Sequence, residues 1–260
     1  MPCAQGERTY HVLYQLCRGC TSEQAKQLQL LPPADFRYIG ESAGLVVPGV
    51  NDVEWYAATC KAMEVFGLSA DDQAGVRAVL ASVLHVGNLQ FDTVQAAQQD
   101  DGSKVSAVAK PRLEAAAALL GLSASAFQDA LTIKSVGKFP VVQVPQPPAK
   151  AAATRDALAR SLYGQLFLWT IGRVNATMSS GVGAADVKRT IGMLDIFGFE
   201  SFKTNSLEQL LINFANEKLQ AHFNEYILRV ASPMLSHALP CSPILSHTLP
   251  WSPMISHDLP

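Results

Sequence analysis

With 260 residues, 48% of them apolar, the chain has material for one large or two small cores, and 20 basic against 22 acidic residues exclude a general nucleic-acid- or membrane-attracting field. No charged-then-apolar leader follows Met1 and no apolar run reaches about 18 residues, so a soluble cytoplasmic protein without membrane insertion is expected. Five cysteines at irregular spacing fit reduced thiols, and Cys17-Arg-Gly-Cys20 reads as incidental thiols at a helix end rather than zinc ligands.

From the amino end, Glu7-Arg-Thr-Tyr-His-Val-Leu-Tyr-Gln-Leu16 places Tyr10, Leu13, Tyr14 and Cys17 on one helical face that Gly19 stops. Gly40-Glu-Ser-Ala-Gly44 mimics the start of a phosphate-binding loop. It lacks the terminal Gly-Lys-Ser/Thr, since Leu45-Val-Val-Pro48 follows, and reads as a surface turn. Asn51 caps a helix carrying Val53, Tyr56, Ala57 and Cys60, and Ser69 caps a second whose Val76, Val79, Leu80, Val83 and Leu84 form a core stripe. His85 beside that stripe is expected to be structural. Residues 92–110 read as a surface excursion, Pro111 and Ser123 open two short helices, and residues 134–150, with four prolines, read as an extended surface loop. A helix of about thirty residues from Ala149 to Met178 should turn Leu158, Leu162, Leu166, Trp169 and Val174 inward.

Ile191 to Phe197 has the length and character of a buried strand, with Asp195 near its carboxyl end, then Gly198 and Glu200. Asn205-Ser-Leu-Glu208 reads as a capping box, from which Leu207, Leu210, Leu211, Phe214, Leu219, Phe223, Tyr226 and Ile227 continue at helical spacing. An acid at a strand's carboxyl end beside a glycine N–H suits a Mg²⁺–phosphate group: the carboxylate orients metal-bound water and the N–H donates to phosphate oxygen. Asp-x-x-Gly alone is a weak signal.

The longer string is specific. Asp195-Ile-Phe-Gly-Phe-Glu-Ser-Phe202, then Asn205-Ser-Leu-Glu-Gln209 and Asn216-Glu-Lys-Leu-Gln220, closely resembles the switch II loop and relay helix of the myosin motor domain. Glu7 to Leu16 resembles the helix that follows switch I in that family. Leu84-His-Val-Gly-Asn-Leu89, Arg155 to Arg160 and Leu162 to Phe167 are similar to its upper 50-kilodalton subdomain. The resemblance runs from Glu7 to about Leu228 and implies a mainly α fold with a small β component, a fragment of the P-loop NTPase-type motor domain, over residues 1–230. It implies ATP and Mg²⁺ as ligands of the complete motor. Asp195 would hold a water on the metal, Gly198 N–H would bind the γ-phosphate, and Glu200 would pair with a switch I arginine. Actin filaments and the missing remainder of the motor domain would be the partners.

By position, residues 134–150 correspond to a loop that touches actin in the family. Lys134 and Lys138 either meet an acidic filament or are only solvated, and the position that is acidic or phosphorylatable in most myosins falls at Phe139 or Pro140. The phosphate-binding loop and switch I are expected to precede Met1, so this chain alone is expected to be inactive. The competing expectation is a non-catalytic helical module that binds actin or another protein. After Val230 a unit of the form Ser-Pro-x-x-Ser-His-x-Leu-Pro-x repeats three times, and its proline spacing is expected to exclude a long helix and leave 231–260 without fixed structure. His237, His247 and His257 recur at period ten without a second ligand type and read as part of a flexible tail.

Overall fold

A computed structural model describes residues 8–42, 47–94, 102–137, 139, 141–180, 189 and 191–238, with 228–238 as backbone. The chain divides into two compact units, Met1–Asp186 and Val187–Pro260, each treated by itself.

The first unit is built on helices that open where the sequence offers caps. Helices α1 (His11–Gly19) and α2 (Ser22–Gln27) precede a short 3-10 turn (Pro33–Asp35) and another at Gly40–Ser42. Asn51 accepts from the Val53 and Glu54 N–H groups to start α3 (Asp52–Val65), and a reciprocal Ser69–Asp72 box starts α4 (Ala70–Gly87). Ser123 accepts from Ala126 N–H to start α6 (Ala124–Thr132), after α5 (Lys110–Leu119) with Pro111 in its first turn. Helix α4 is the spine shared by two cores. Its Leu80, Ala81 and Leu84 join Leu13, Tyr14, Leu16, Phe36 and Ile39 on one side. Its Val83 and Val86 join Leu89, Leu113, Ala116, Phe127 and Leu131 on the other.

The long helix α7 (Pro148–Met178) closes the second core differently from expectation. Its buried positions are Ala151, Arg155 and Ala159, four apart, while Leu158 and Leu162 pack at the core's edge and Trp169 stays 40% exposed. Small alanines let the helix axis approach α4, with which α7 makes extensive contact. Arg155 Nη1 donates to Leu89 O (2.7 Å) and Nε to Asp156 Oδ1 (2.8 Å), while Tyr38 Oη donates to that same oxygen (2.6 Å). Close approach leaves no room elsewhere either: a Cβ at Gly87 would lie 2.6 Å from the Tyr38 ring.

Two expected loops are hairpins. Strand β1 (Phe91–Val94) pairs antiparallel with β2 (Gly102–Val105) inside the presumed excursion, whose residues 95–101 lie outside the described set. Strand β3 (Ile133–Val136) pairs with β4 (Val142–Pro145) inside the proline-rich stretch. Pro145 sits at the strand end, and the valines between the prolines are free to form a ladder.

In the second unit the expected strand at 191–197 is not formed. The backbone from Ile191 to Ser206 is irregular, and Ile191 and Met193 are each 98% exposed. A strand needs a neighbour for its N–H and C=O groups, and the strands among the described residues pair only as β1–β2 and β3–β4. Helix α8 (Leu207–Ala238) follows, capped one residue later than expected. Ser206 N–H and Oγ both donate to Gln209 Oε1 (2.8 and 2.7 Å), and Ser206 Oγ accepts from Glu208 N–H (3.2 Å). The helix also continues past Val230 and Pro233 to Ala238, against the break expected there. One proline removes a single backbone bond and can be carried by an established helix. Residues 239–260, with the rest of the repeats, lie outside the described set.

Candidate functional site

The singled-out carboxylates and glycine lie on the irregular segment ahead of α8, and side-chain amides of that helix hold the segment in place. Gln209, Asn213 and Asn216, spaced by four and three, share one helical face. Asn213 brackets the backbone of Glu200: Glu200 N–H donates to Asn213 Oδ1 (2.9 Å) and Asn213 Nδ2 donates to Glu200 O (2.9 Å). Gln209 Nε2 donates to Glu200 Oε2 (3.4 Å), and Asn216 Nδ2 to Phe197 O (2.6 Å) and Ile212 O (3.0 Å). Asn205 closes the turn before the helix by taking Phe202 N–H and giving to Phe202 O, both at 2.9 Å. Each bond contributes about 0.5–1.5 kcal/mol net, and those from Gln209, Asn213 and Asn216 tie residues 197 and 200 to the helix.

One consequence follows from peptide planarity. Phe197 C=O and Gly198 N–H belong to the same peptide unit and point in opposite directions. By tying that carbonyl to α8, Asn216 turns the Gly198 N–H away from the helix. Gly198 has nothing within 4 Å of a Cβ placed on it, and its φ lies outside the left-handed region, so neither a tight turn nor crowding explains the glycine here. Asp195 is exposed, and Glu200 is half-buried against Gln209. Among the ion pairs of the described residues none involves Glu200.

Other candidates lie elsewhere. Lys134 is exposed on β3, opposite Val144, and Lys138 lies outside the described residues. His85 is fully buried, its Nε2–H donates to Leu28 O (2.9 Å), and its ring meets Phe36 edge-on, which makes it structural as expected. Burial lowers its pKa. The same cause pushes Cys17 up to about 12, which keeps it a thiol. Among the described residues no three His, Cys, Asp or Glu side chains gather closely enough to hold a metal. The amides Gln209, Asn213 and Asn216 escaped sequence reasoning, which followed the apolar stripe. Their sign was three carboxamides at 209, 213 and 216 in a helix otherwise rich in leucine and phenylalanine.

A helical unit joined to an acid–glycine–acid segment stapled onto a long helix is the arrangement found here, and comparison with known proteins identifies its class. The sequence pattern of the family described as Myosin head (motor domain) matches residues 2–232. The chain is 38% identical over 225 residues to Myosin-16 of Arabidopsis thaliana, covering 86% of this chain and 18% of that one. It is 40% identical over 230 residues to Myosin-I heavy chain of Dictyostelium discoideum (87% and 10%), and 36% over 233 to Myosin IB heavy chain of the same organism (86% and 20%). The chain belongs to the myosin head (motor domain) family. It spans between 10% and 20% of the length of these relatives.

Proposed function

We propose that these residues carry the upper 50-kilodalton subdomain, switch II and the relay helix of an actin-based cytoskeletal motor that couples ATP binding and hydrolysis to movement on filaments. Within the complete, P-loop NTPase-type motor domain its place would be the cytoplasm, on actin. The observation that carries the reading is the set of hydrogen bonds from Asn213 and Asn216 to residues 197 and 200, because it makes the segment and α8 move together. A displacement of a few ångströms at Gly198 is thereby passed to a 32-residue helix.

Bound Mg²⁺ would neutralise the charge of the transferred phosphoryl group. Asp195, exposed and on the same segment, would hold a water on that metal; the Gly198 N–H, aimed off the helix, would donate to the terminal phosphate. Glu200 would pair with an arginine from the remainder of the motor. The free carboxylate and the open backbone at Gly198 fit these roles.

The 260 residues contain no Gly-Lys-Ser/Thr phosphate loop, so one carboxylate and one N–H are what they offer. A charge-assisted hydrogen bond is worth about 1.5–3 kcal/mol and association costs at least about 4 kcal/mol. The chain by itself should therefore show no Mg·ATP binding below millimolar in equilibrium dialysis and no ATPase activity. Joined to complete motor sequence it should hydrolyse ATP, and Asp195→Ala or Glu200→Ala should abolish that. Micromolar affinity in the bare chain, lost on Asp195→Ala, would overturn the reading. The second reading, a non-catalytic binding module, draws on the two cores that the first unit owns. Filament binding by the chain together with an inactive reassembled motor would favour it.

A further inference from the structure

Helix α8 and the segment ahead of it enclose a groove that no described residue fills. Leu194 and Ile196 line it from the segment, which the Asn216 bond to Phe197 O (2.6 Å) holds in place. Leu219, Phe223 and Tyr226 line it from the helix, at steps of four and three along one face. Its volume is about 570 Å³, within the range of sites that bind compact groups. Leu194 is 74% exposed and Phe223 57%, so the apolar surface is open. Two aromatic rings between aliphatic neighbours have the make-up of grooves that receive proline-rich extended segments.

The chain itself contains such a segment. Residues 239–260 hold five prolines and eight large apolar side chains against one charge, Asp258, a composition opposite to that of the polar, charged spacers that stay solvated. Where one repeat meets the next, the sequence reads Pro-x-x-Pro, as Pro240-Cys-Ser-Pro243 and Pro250-Trp-Ser-Pro253. The second pair encloses Trp251, the one tryptophan of these repeats.

Reach decides between the two. Helix α8 runs to Ala238, which puts Phe223 and Leu219 about 22 and 28 Å back along it at ~1.5 Å per residue. Trp251 lies thirteen residues beyond Ala238. With about three of them used to turn back, the other ten span about 31 Å in polyproline form at ~3.1 Å per residue. Trp251 therefore arrives at the groove, whereas Pro240 to Pro243 falls short. A link this short gives an effective concentration of about millimolar, so a weak intrinsic affinity is enough, and prolines with fixed φ lose little entropy on docking.

We propose that Pro250-Trp-Ser-Pro253 folds back along α8 of the same chain and seats Trp251 in the groove of Leu194, Ile196, Leu219, Phe223 and Tyr226. The repeats then mask part of the helix's apolar face. This contact is separate from the motor reading, which stands or falls without it.

Trp251 is its own reporter. In the full 260-residue chain, the difference in emission between the parent and Trp251→Phe isolates that residue. Its emission should be blue-shifted, and acrylamide should quench it several-fold more weakly than a free peptide of residues 249–258. Phe223→Ser and Tyr226→Ser, each compared with its own Trp251→Phe version, should return quenching to the peptide value with unchanged circular dichroism. Leu210→Gln, on α8 outside the groove, should not. Dilution should change nothing, because the contact lies within one chain. Quenching in the parent as strong as in the peptide, or shielding that survives both groove variants, would overturn the inference. Shielding lost on dilution, with dimers in sedimentation equilibrium, would make the tail of a second copy the occupant and overturn it too.

Discussion

Helices α7 and α8 are nearly equal in length, 31 and 32 residues, and both repeat apolar residues at helical spacing, yet their surroundings differ. The first half of α7 buries Ala151, Arg155 and Ala159, the last of them in a core that α4, α5 and α6 complete. No described residue of the second unit is buried, and Leu207, Leu210, Leu211, Phe214, Phe223 and Tyr226 of α8 are each more than half exposed. The first unit is held by burial. The second is held by hydrogen bonds of side-chain amides to a neighbouring loop. An amphipathic pattern thus states that a face wants a partner and leaves open whether this chain supplies one.

The largest effect should come from breaking the first unit at Asp52. Its Oδ2 accepts from Arg8 (2.8 Å) and Arg18 (2.6 Å), and the Arg8 and Asp52 side chains are each 3% exposed. Asp52→Ala leaves the buried Arg8 guanidinium without its carboxylate, a loss of about 3–5 kcal/mol. Domain stabilities are only about 5–15 kcal/mol. Urea unfolding should show the midpoint collapse, while exchange protection of the Glu200 amide stays as it was. Loss of both together would mean that the two regions unfold as one.

A smaller effect of the same kind is set by pH. His85 is buried neutral, with its Nδ1 lacking a partner and its pKa lowered by burial. Below the ordinary value of 6.5 the unfolded chain takes up a proton that the folded one resists, so stability present above that pH is lost as pH falls through the window beneath it. His85→Gln, which keeps a donor for Leu28 O, should flatten this slope in melts between neutral and mildly acid pH. An unchanged slope would move the acid sensitivity to another group.

The sequence was most legible where local chemistry decides. The caps at Asn51, Ser69 and Ser123, the α4 stripe and the structural role of His85 are all present. It was least legible where tertiary partners decide. The 191–197 run looks like a buried strand because in isolation its composition says so, and without a neighbouring strand among the described residues it stays irregular. The buried face of α7 was misread because alanine and arginine, not leucine, occupy its closest approach to α4. The candidate segment was legible in its acids and glycine, but not in the asparagines that orient it, since a carboxamide gives no sign of which backbone it will reach.

Asn213→Ala sharpens the comparison on the second unit. It removes both bonds to Glu200, at about 0.5–1.5 kcal/mol net each, so protection of the Glu200 amide should fall about tenfold or more in hydrogen exchange. Melting of the first unit should not move. Asn213→Asp keeps an acceptor for the Glu200 N–H and should retain part of the protection. Full protection in Asn213→Ala would show that something other than this amide orders the segment.

The smallest expected effect is at Leu210, 64% exposed on α8. Leucine and glutamine have similar helix propensity, and surface substitutions stay within about 0.5 kcal/mol, so Leu210→Gln should leave the melting of the 260-residue chain unchanged. In the same chain extended by complete motor sequence, the remainder of the motor would cover that face, and burying a leucine is worth about 1.5–3 kcal/mol. Leu210→Gln should then destabilise the extended protein by that amount while sparing the bare chain. Equal and small effects in both would mean that the face stays uncovered in the motor, and the contrast between α7 and α8 would be intrinsic. A large loss in the bare chain would mean that the face is already buried in solution, against a second copy or another part of the chain, and sedimentation equilibrium would distinguish those two.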